Sequence, residues 1–166
     1  YELKVNAPYD MAGTFSSPVT LVSADPDDPA VIGNIDLKGV RNVAFKDLAF
    51  EPASGTALKI YDSADISVTG SRFTGPAEGY WDADTGPGGT AFHAQGIKGL
   101  EFSGNTVSRF AFGLYLFDVS NAAVNDNLVT EIQSDGLRMA QVQRLEISGN
   151  EMRDWLGVDN GINHSD

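Results

Sequence analysis

Cysteine is absent from this sequence of 166 residues, so no disulfide and no thiolate metal site can form. Basic residues are scarce, because 11 lysines and arginines stand against 23 aspartates and glutamates, a formal net charge of −12. A net negative field repels phosphate groups, which argues against nucleic acid and against an anionic membrane surface as partners. No apolar run approaches the length of a membrane span. The apolar fraction of 42% and the 18 glycines instead predict one globular domain, residues 1–166, whose chain turns often.

The sequence repeats itself. Five segments align without a gap, and they begin 23, 34, 22 and 23 residues apart: Ile35–Phe50, Leu58–Phe73, Phe92–Val107, Leu114–Val129 and Leu137–Met152. Self-similarity at a nearly fixed period is the signature of a solenoid, in which stacked units bury one continuous core.

Five positions are apolar in every segment, and their columns begin at Ile35, Leu37, Val43, Phe45 and Phe50. In the last segment these columns end at Leu137, Met139, Leu145, Ile147 and Met152. Within a segment the spacing is mostly two residues, the period of a β-strand, and no stretch sustains a helical period. We therefore predict an all-β fold, a parallel β-helix of about five to six coils of 22–25 residues whose strands pair in parallel.

The chain outside these segments is predicted to follow the same plan. Residues 1–34 contain two alternating apolar runs and form an entry coil, and residues 35–166 form the repeat coils. One step is longer by about 11 residues, which predicts a loop insertion near residues 75–90. Gly161–Asp166 begins a further coil without finishing it, so we expect the chain to be part of a longer protein with additional domains.

A polar column follows the fourth apolar column. Its members are Leu48, Ser71, Asn105, Asn127 and Asn150. Stacked asparagines at a bend form a ladder of amide hydrogen bonds, and asparagine tolerates left-handed backbone. This column is predicted to be structural.

The repeat resembles the right-handed parallel β-helix superfamily of pectate-lyase-like proteins, alginate lyases and mannuronan C5-epimerases, and the resemblance covers nearly the whole chain. It implies a right-handed coil and a secreted or cell-surface bacterial protein, although no signal peptide is present in this chain. The Asp-Pro-His motif of the epimerases and the Trp-x-Asp-His and Arg-x-Pro-x-x-Arg motifs of pectate lyases are absent. The candidate site therefore comes from this chain's own residues.

The outward position of the first strand in each coil carries large functional side chains. Stacking would put Lys59, His93, Tyr115 and Arg138 in one row, each about 4.8 Å from the next. Arg138 is suited to hold a carboxylate, and His93 to act as a general base. Tyr115 would serve as base or acid, and Lys59 would neutralise the developing charge. Similar side chains occur on this sheet in the alginate lyases and epimerases.

These roles predict binding of an acidic polysaccharide and proton abstraction next to a uronate carboxylate, which ends in β-elimination or C5 epimerisation. Tyr61, Gln95 and Phe117 lie in the next outward column and are predicted to bind the sugar, together with Trp81 of the insertion. Asp82 and Asp84 have the Asp-x-Asp-x-Gly spacing of a Ca²⁺ loop, and Ca²⁺ is the only cofactor that a motif suggests.

Two alternatives stay open. The row can be a glycan-binding or adhesive surface without turnover, in which only the aromatic side chains matter. A glycoside hydrolase of the phage-tailspike type would instead need two carboxylates across the scissile bond. Asp118, Asp135 and Asp159 are the carboxylates near the bends, and only the last two are predicted to approach each other.

Overall fold

A computed structural model of the chain describes residues 3–4, 14–76 and 89–155. It contains fifteen β-strands, and none of the described residues is helical, so no helix in them could cross a membrane. The strands are β1 (Leu3–Lys4), β2 (Thr14–Val22), β3 (Val31–Ile32), β4 (Ile35–Lys38), β5 (Arg41–Lys46), β6 (Ala49–Phe50), β7 (Leu58–Thr69), β8 (Arg72–Thr74), β9 (Thr90–Ser103), β10 (Thr106–Ser108), β11 (Phe112–Asn125), β12 (Leu128–Thr130), β13 (Leu137–Ala140), β14 (Gln143–Ser148) and β15 (Glu151–Arg153).

All strand pairs are parallel and join residues of successive coils. One sheet runs β1-β4-β7-β9-β11-β13; along the second half of the coils β5 pairs with β7, β14 pairs with β11, and β2 pairs with β5. The other sheet runs β3-β6-β8-β10-β12-β15. The register follows the gapless alignment, because Leu58 pairs with Phe92 and Leu114 pairs with Leu137. The predicted parallel β-solenoid is thereby confirmed.

The entry coil stacks on the first repeat coil. β1 pairs with β4, β2 with β5 and β3 with β6, each in parallel. The register of β2 shifts between Thr14 and Val19, which is the one irregularity in this pairing.

Apolar side chains fill the inside of the solenoid as five buried columns. Phe50 stacks on Phe73 with ring centroids 4.5 Å apart, and both rings are fully buried. The last coil keeps the predicted register but is not covered by a further coil of described residues, and there Met139, Ile147 and Met152 are 42%, 45% and 37% exposed. Among the described residues no strand pairs with the far side of β13, β14 or β15, so nothing covers these side chains there.

The polar column forms the predicted ladder. The Asn105 backbone N–H donates to Asn127 Oδ1 at 2.9 Å, and the Asn127 N–H donates to Asn150 Oδ1 at 3.0 Å. Each amide nitrogen also donates to a backbone oxygen of the preceding coil, as Asn127 does to Phe102 at 2.9 Å. The left-handed backbone lies one residue earlier than predicted. It falls on Asp47, Gly70, Gly104, Asp126 and Gly149.

The longer coil keeps its register on both sides of the extra residues. Thr74 pairs with Ser108, and Phe92 pairs with Leu58. The predicted insertion falls largely on residues 77–88, which lie outside the described residues. The stack therefore continues across this coil.

Candidate functional site

The register brings the predicted outward row together on five neighbouring strands. Asp36 pairs with Lys59, Lys59 with His93, His93 with Tyr115, and Tyr115 with Arg138. These strands are β4, β7, β9, β11 and β13, so one side chain of the row comes from each coil. Because strands lie about 4.8 Å apart, the row from Lys59 to Arg138 spans about 14 Å.

The row has a second line of side chains beside it. Tyr61 pairs with Gln95, Gln95 with Phe117, and Phe117 with Ala140. All three predicted sugar contacts in this line, Tyr61, Gln95 and Phe117, are partly exposed. The two lines share one face of the sheet because side chains two residues apart point the same way.

His93 is packed between two tyrosine rings. Its ring centroid lies 5.4 Å from that of Tyr61, in an edge-on arrangement, and 4.8 Å from that of Tyr115, in a tilted one. The Nε2 atom of His93 is buried and has no hydrogen-bond partner among the described residues, so proton transfer to a ligand would have to use Nδ1.

The environment of His93 favours its neutral form. Burial lowers the pKa of His93 below its ordinary value of 6.5, the positive charge of Lys59 lowers it further, and the carboxylate of Asp36 opposes both. A lowered pKa means that the imidazole is uncharged at neutral pH and can accept a proton. The positive charges of the row at neutral pH are then Lys59 and Arg138.

Neither of these two cations has an ion pair with any described residue. Other basic side chains of the solenoid do, such as Lys38 with Asp62 at 3.1 Å and Arg109 with Glu131 at 3.9 Å. A purely structural row would require Lys59 and Arg138 to be neutralised by a carboxylate of a neighbouring coil. Asp36 lies beside Lys59 in the row, but no carboxylate of a described residue lies within the 4.0 Å of an ion pair with Lys59 or Arg138.

Arg138 instead lies over aromatic rings. Its Cζ atom is 5.4 Å from the ring centroid of Tyr115 and 6.0 Å from that of Phe112. A guanidinium over a ring face is attracted by the ring's quadrupole, and the contact leaves its N–H groups available for a carboxylate. Phe112 was missed by the sequence reasoning because it lies three residues before Tyr115 and belongs to no outward column. The only signal in the sequence was the apolar character of Phe112 itself, at the start of β11.

The remaining predicted site residues include four that the structure does not describe. Trp81, Asp82 and Asp84 lie outside the described residues, as does Asp159. Asp118 lies at a bend with a φ of 51°, and the backbone oxygen of Asp135 accepts the Gly113 N–H at 2.9 Å. No group of three metal-ligating side chains occurs within residues 14–76 and 89–155.

Comparison with known proteins identifies the family. A family model described as the right-handed beta helix region matches residues 33–165. The chain therefore belongs to the right-handed β-helix family, and the handedness implied by the resemblance is confirmed. No curated protein and no solved structure matches the chain. Family membership establishes the fold, while the chemistry has to be argued from the site.

Proposed function

We propose that the row binds an acidic polysaccharide and removes the proton next to a uronate carboxylate, as a lyase or a C5-epimerase. The observation that supports this most directly is the line Lys59–His93–Tyr115–Arg138, one side chain per coil, whose two cations have no ion pair among the described residues. Such polymers lie outside the cell, so the same proposal implies a secreted or cell-surface protein of a bacterium.

The two cations supply the binding of the negatively charged sugar. Arg138 projects a planar set of donors that matches a carboxylate with two parallel hydrogen bonds. Lys59 lies three strands away and adds a point charge at the other side of His93. In a chain whose formal net charge is −12, this local pair of cations attracts a polyanion to one face.

The neutral imidazole and the phenol supply proton transfer. His93 accepts the C5 proton, and the bonding electrons move into the carboxylate, whose extra charge is stabilised by Lys59 and Arg138. In elimination the C4–O bond then breaks as the C4=C5 bond forms, and Tyr115 donates its proton to the departing oxygen. In epimerisation C5 instead takes a proton on its opposite face, with Tyr115 as the donor.

A second candidate is glycan binding without turnover. The contacts of His93 with Tyr61 and Tyr115 favour it, because a continuous line of rings stacks on the apolar faces of sugars. In this reading His93 is an aromatic platform and its proton is never exchanged with the ligand.

The test is incubation of the protein with alginate and with polygalacturonate. Ultraviolet absorbance of new C=C bonds reports elimination, and NMR of the uronate stereochemistry reports epimerisation. We expect Tyr115→Phe to lower turnover by roughly 10²–10⁴-fold while binding persists. Lys98→Ala, an exposed lysine outside the row, is the matched control and should leave turnover unchanged.

The outcomes separate the two candidates. Binding without either product, unaffected by Tyr115→Phe and lost in Tyr61→Ala, would establish the non-catalytic reading. Absence of binding to both polyuronates would contradict the row as a polyuronate site altogether.

A further inference from the structure

A second open groove lies on the neighbouring face of the solenoid, one bend away from the row. Its volume is about 360 Å³, and its floor follows the outward column Ala44, Ser67 and Glu101. Pro18 of the entry coil and Asn121 of β11 also line it. The groove shares no residue with the two lines of side chains around His93.

Small side chains keep this floor low. Ala44 and Ser67 belong to the same coils as Asp36 and Lys59 of the row, and their side chains are smaller than these two. At the adjacent bend Gly99 has a φ of 83°, and a Cβ there would lie 3.0 Å from Asp65 Oδ1. Because Gly99 has no side chain, the carboxylate of Asp65 can lie against the next coil. The groove therefore continues from one coil to the next at this bend.

Several polar groups at the groove are hydrogen-bonded or ion-paired to neighbouring side chains. Some of their donor and acceptor atoms remain unused. The Ser67 hydroxyl donates to Glu101 Oε2 at 2.9 Å, and Arg41 Nη1 lies 3.4 Å from Asp65 Oδ2. Asn121 Oδ1 accepts from Arg144 Nε at 2.5 Å. The second oxygen of Glu101 and the amide nitrogen of Asn121 remain to accept from and donate to a ligand.

This chemistry selects against an anion. None of the lining residues is a lysine or arginine, and although Arg41 pairs with Asp65, Glu101 has no ion pair among the described residues. Alternating donors and acceptors suit hydroxyl groups, each of which does both. The lining spans five coils, from Pro18 to Asn121, or about 19 Å at four strand spacings, and its volume is at the lower end of roughly 300–1,000 Å³ for ligand sites.

We propose that this groove binds a short stretch of a neutral, hydroxyl-rich saccharide. The proposal rests on the second face alone and is independent of any chemistry at His93. A chain with both grooves would hold an uncharged sugar segment on one face and an acidic one on the next.

The experiment is isothermal titration calorimetry of the whole protein with three probe sets. The probes are neutral oligosaccharides of glucose and of xylose, oligoglucosamine as a cationic sugar, and oligogalacturonate. We expect a neutral oligosaccharide to bind, and Ala44→Phe, which fills the floor, to weaken it at least tenfold. Ala53→Phe, at an exposed position outside the groove, is the control and should bind as the unchanged protein does.

Glu101→Gln separates a neutral from a cationic ligand. It keeps an acceptor oxygen and should change neutral-sugar affinity by no more than a few-fold. Binding of oligoglucosamine alone, lost in Glu101→Gln, would overturn the neutral assignment. No neutral binding, or neutral binding unaffected by Ala44→Phe, would overturn the site.

Discussion

The asparagine ladder and the outward row are built by the same stacking but treat their polar groups in opposite ways. In the ladder Asn105 and Asn127 are buried, and each amide contacts the coils before and after it. In the row Lys59 and Arg138 have no ion pair with a described residue. One column is saturated by its neighbours, and the other has capacity left for a ligand.

The difference shows how a repeat fold separates stability from function. A column of identical side chains satisfies itself, because each amide meets the same amide one coil away. A column of different side chains does not, since the part of the row from Lys59 to Arg138 contains no carboxylate with which its two cations could pair. Variation within a column is thus the physical mark of a candidate site in a solenoid.

The largest expected effect on stability comes from breaking the ladder. Asn127→Ala leaves the Asn105 N–H and the Phe102 carbonyl without their partner in a buried position. We expect the free energy of unfolding to fall by about 3 kcal/mol, because each orphaned buried group costs roughly 1–3 kcal/mol. Urea denaturation measures the change, and Lys98→Ala, at an exposed position of β9, should have little effect. A loss for Asn127→Ala no larger than the control's would contradict the comparison.

Replacing a buried polar side chain outside the ladder should instead raise the free energy of unfolding. Gln133 is 1% exposed, and within the described part of the chain neither its Oε1 nor its Nε2 has a hydrogen-bond partner. Gln133→Leu removes this desolvation penalty at similar volume, so we expect unfolding to cost about 1–2 kcal/mol more. Thermal unfolding followed by circular dichroism checks this. A destabilised Gln133→Leu protein would show that the amide has a partner in solution.

A smaller effect is expected at the ring beneath Arg138. Phe112→Leu removes one of the two rings that hold the guanidinium, and such exposed contacts contribute roughly 0.5–1 kcal/mol. We expect the KM for a polyuronate, or the Kd if there is no turnover, to rise a few-fold with kcat nearly unchanged. Phe112→Tyr keeps the ring and should restore the affinity. Equal losses in both variants would assign Phe112 to packing alone.

The smallest effect concerns protonation of His93. We expect its NMR titration midpoint to lie below 6.5, to rise in Lys59→Met and to fall further in Asp36→Asn. As the pH falls, His93 of the unfolded chain therefore binds its proton at a higher pH than His93 of the native protein does. Between pH 6.5 and the native midpoint the stability therefore falls as the pH falls, and above pH 6.5 this contribution is fully retained. A midpoint at or above 6.5 would show that His93 is not shielded in solution.

The sequence predicted the fold closely because one alignment determines both the inward and the outward columns. Phe45, Val68, Phe102 and Val124 are buried as expected. Met139 is not, since a column is buried only where another coil covers it. The contact of Arg138 with Phe112 joins residues of different columns. Strand register predicts only contacts within a column, so it does not predict where a long side chain reaches along a strand. The shielding of His93 likewise depends on the rotamers of two tyrosines, which the alignment does not contain.

The coil of 34 residues has an evolutionary consequence. Its register is kept at Thr74 with Ser108 and at Leu58 with Phe92, so the length of chain between these strands is uncoupled from the stack. Insertions and deletions at this point can be tolerated without shifting any neighbouring coil. Selection can thus lengthen or replace the segment that enters next to the strand of His93 in a single genetic event, while the side chains of the row keep their spacing.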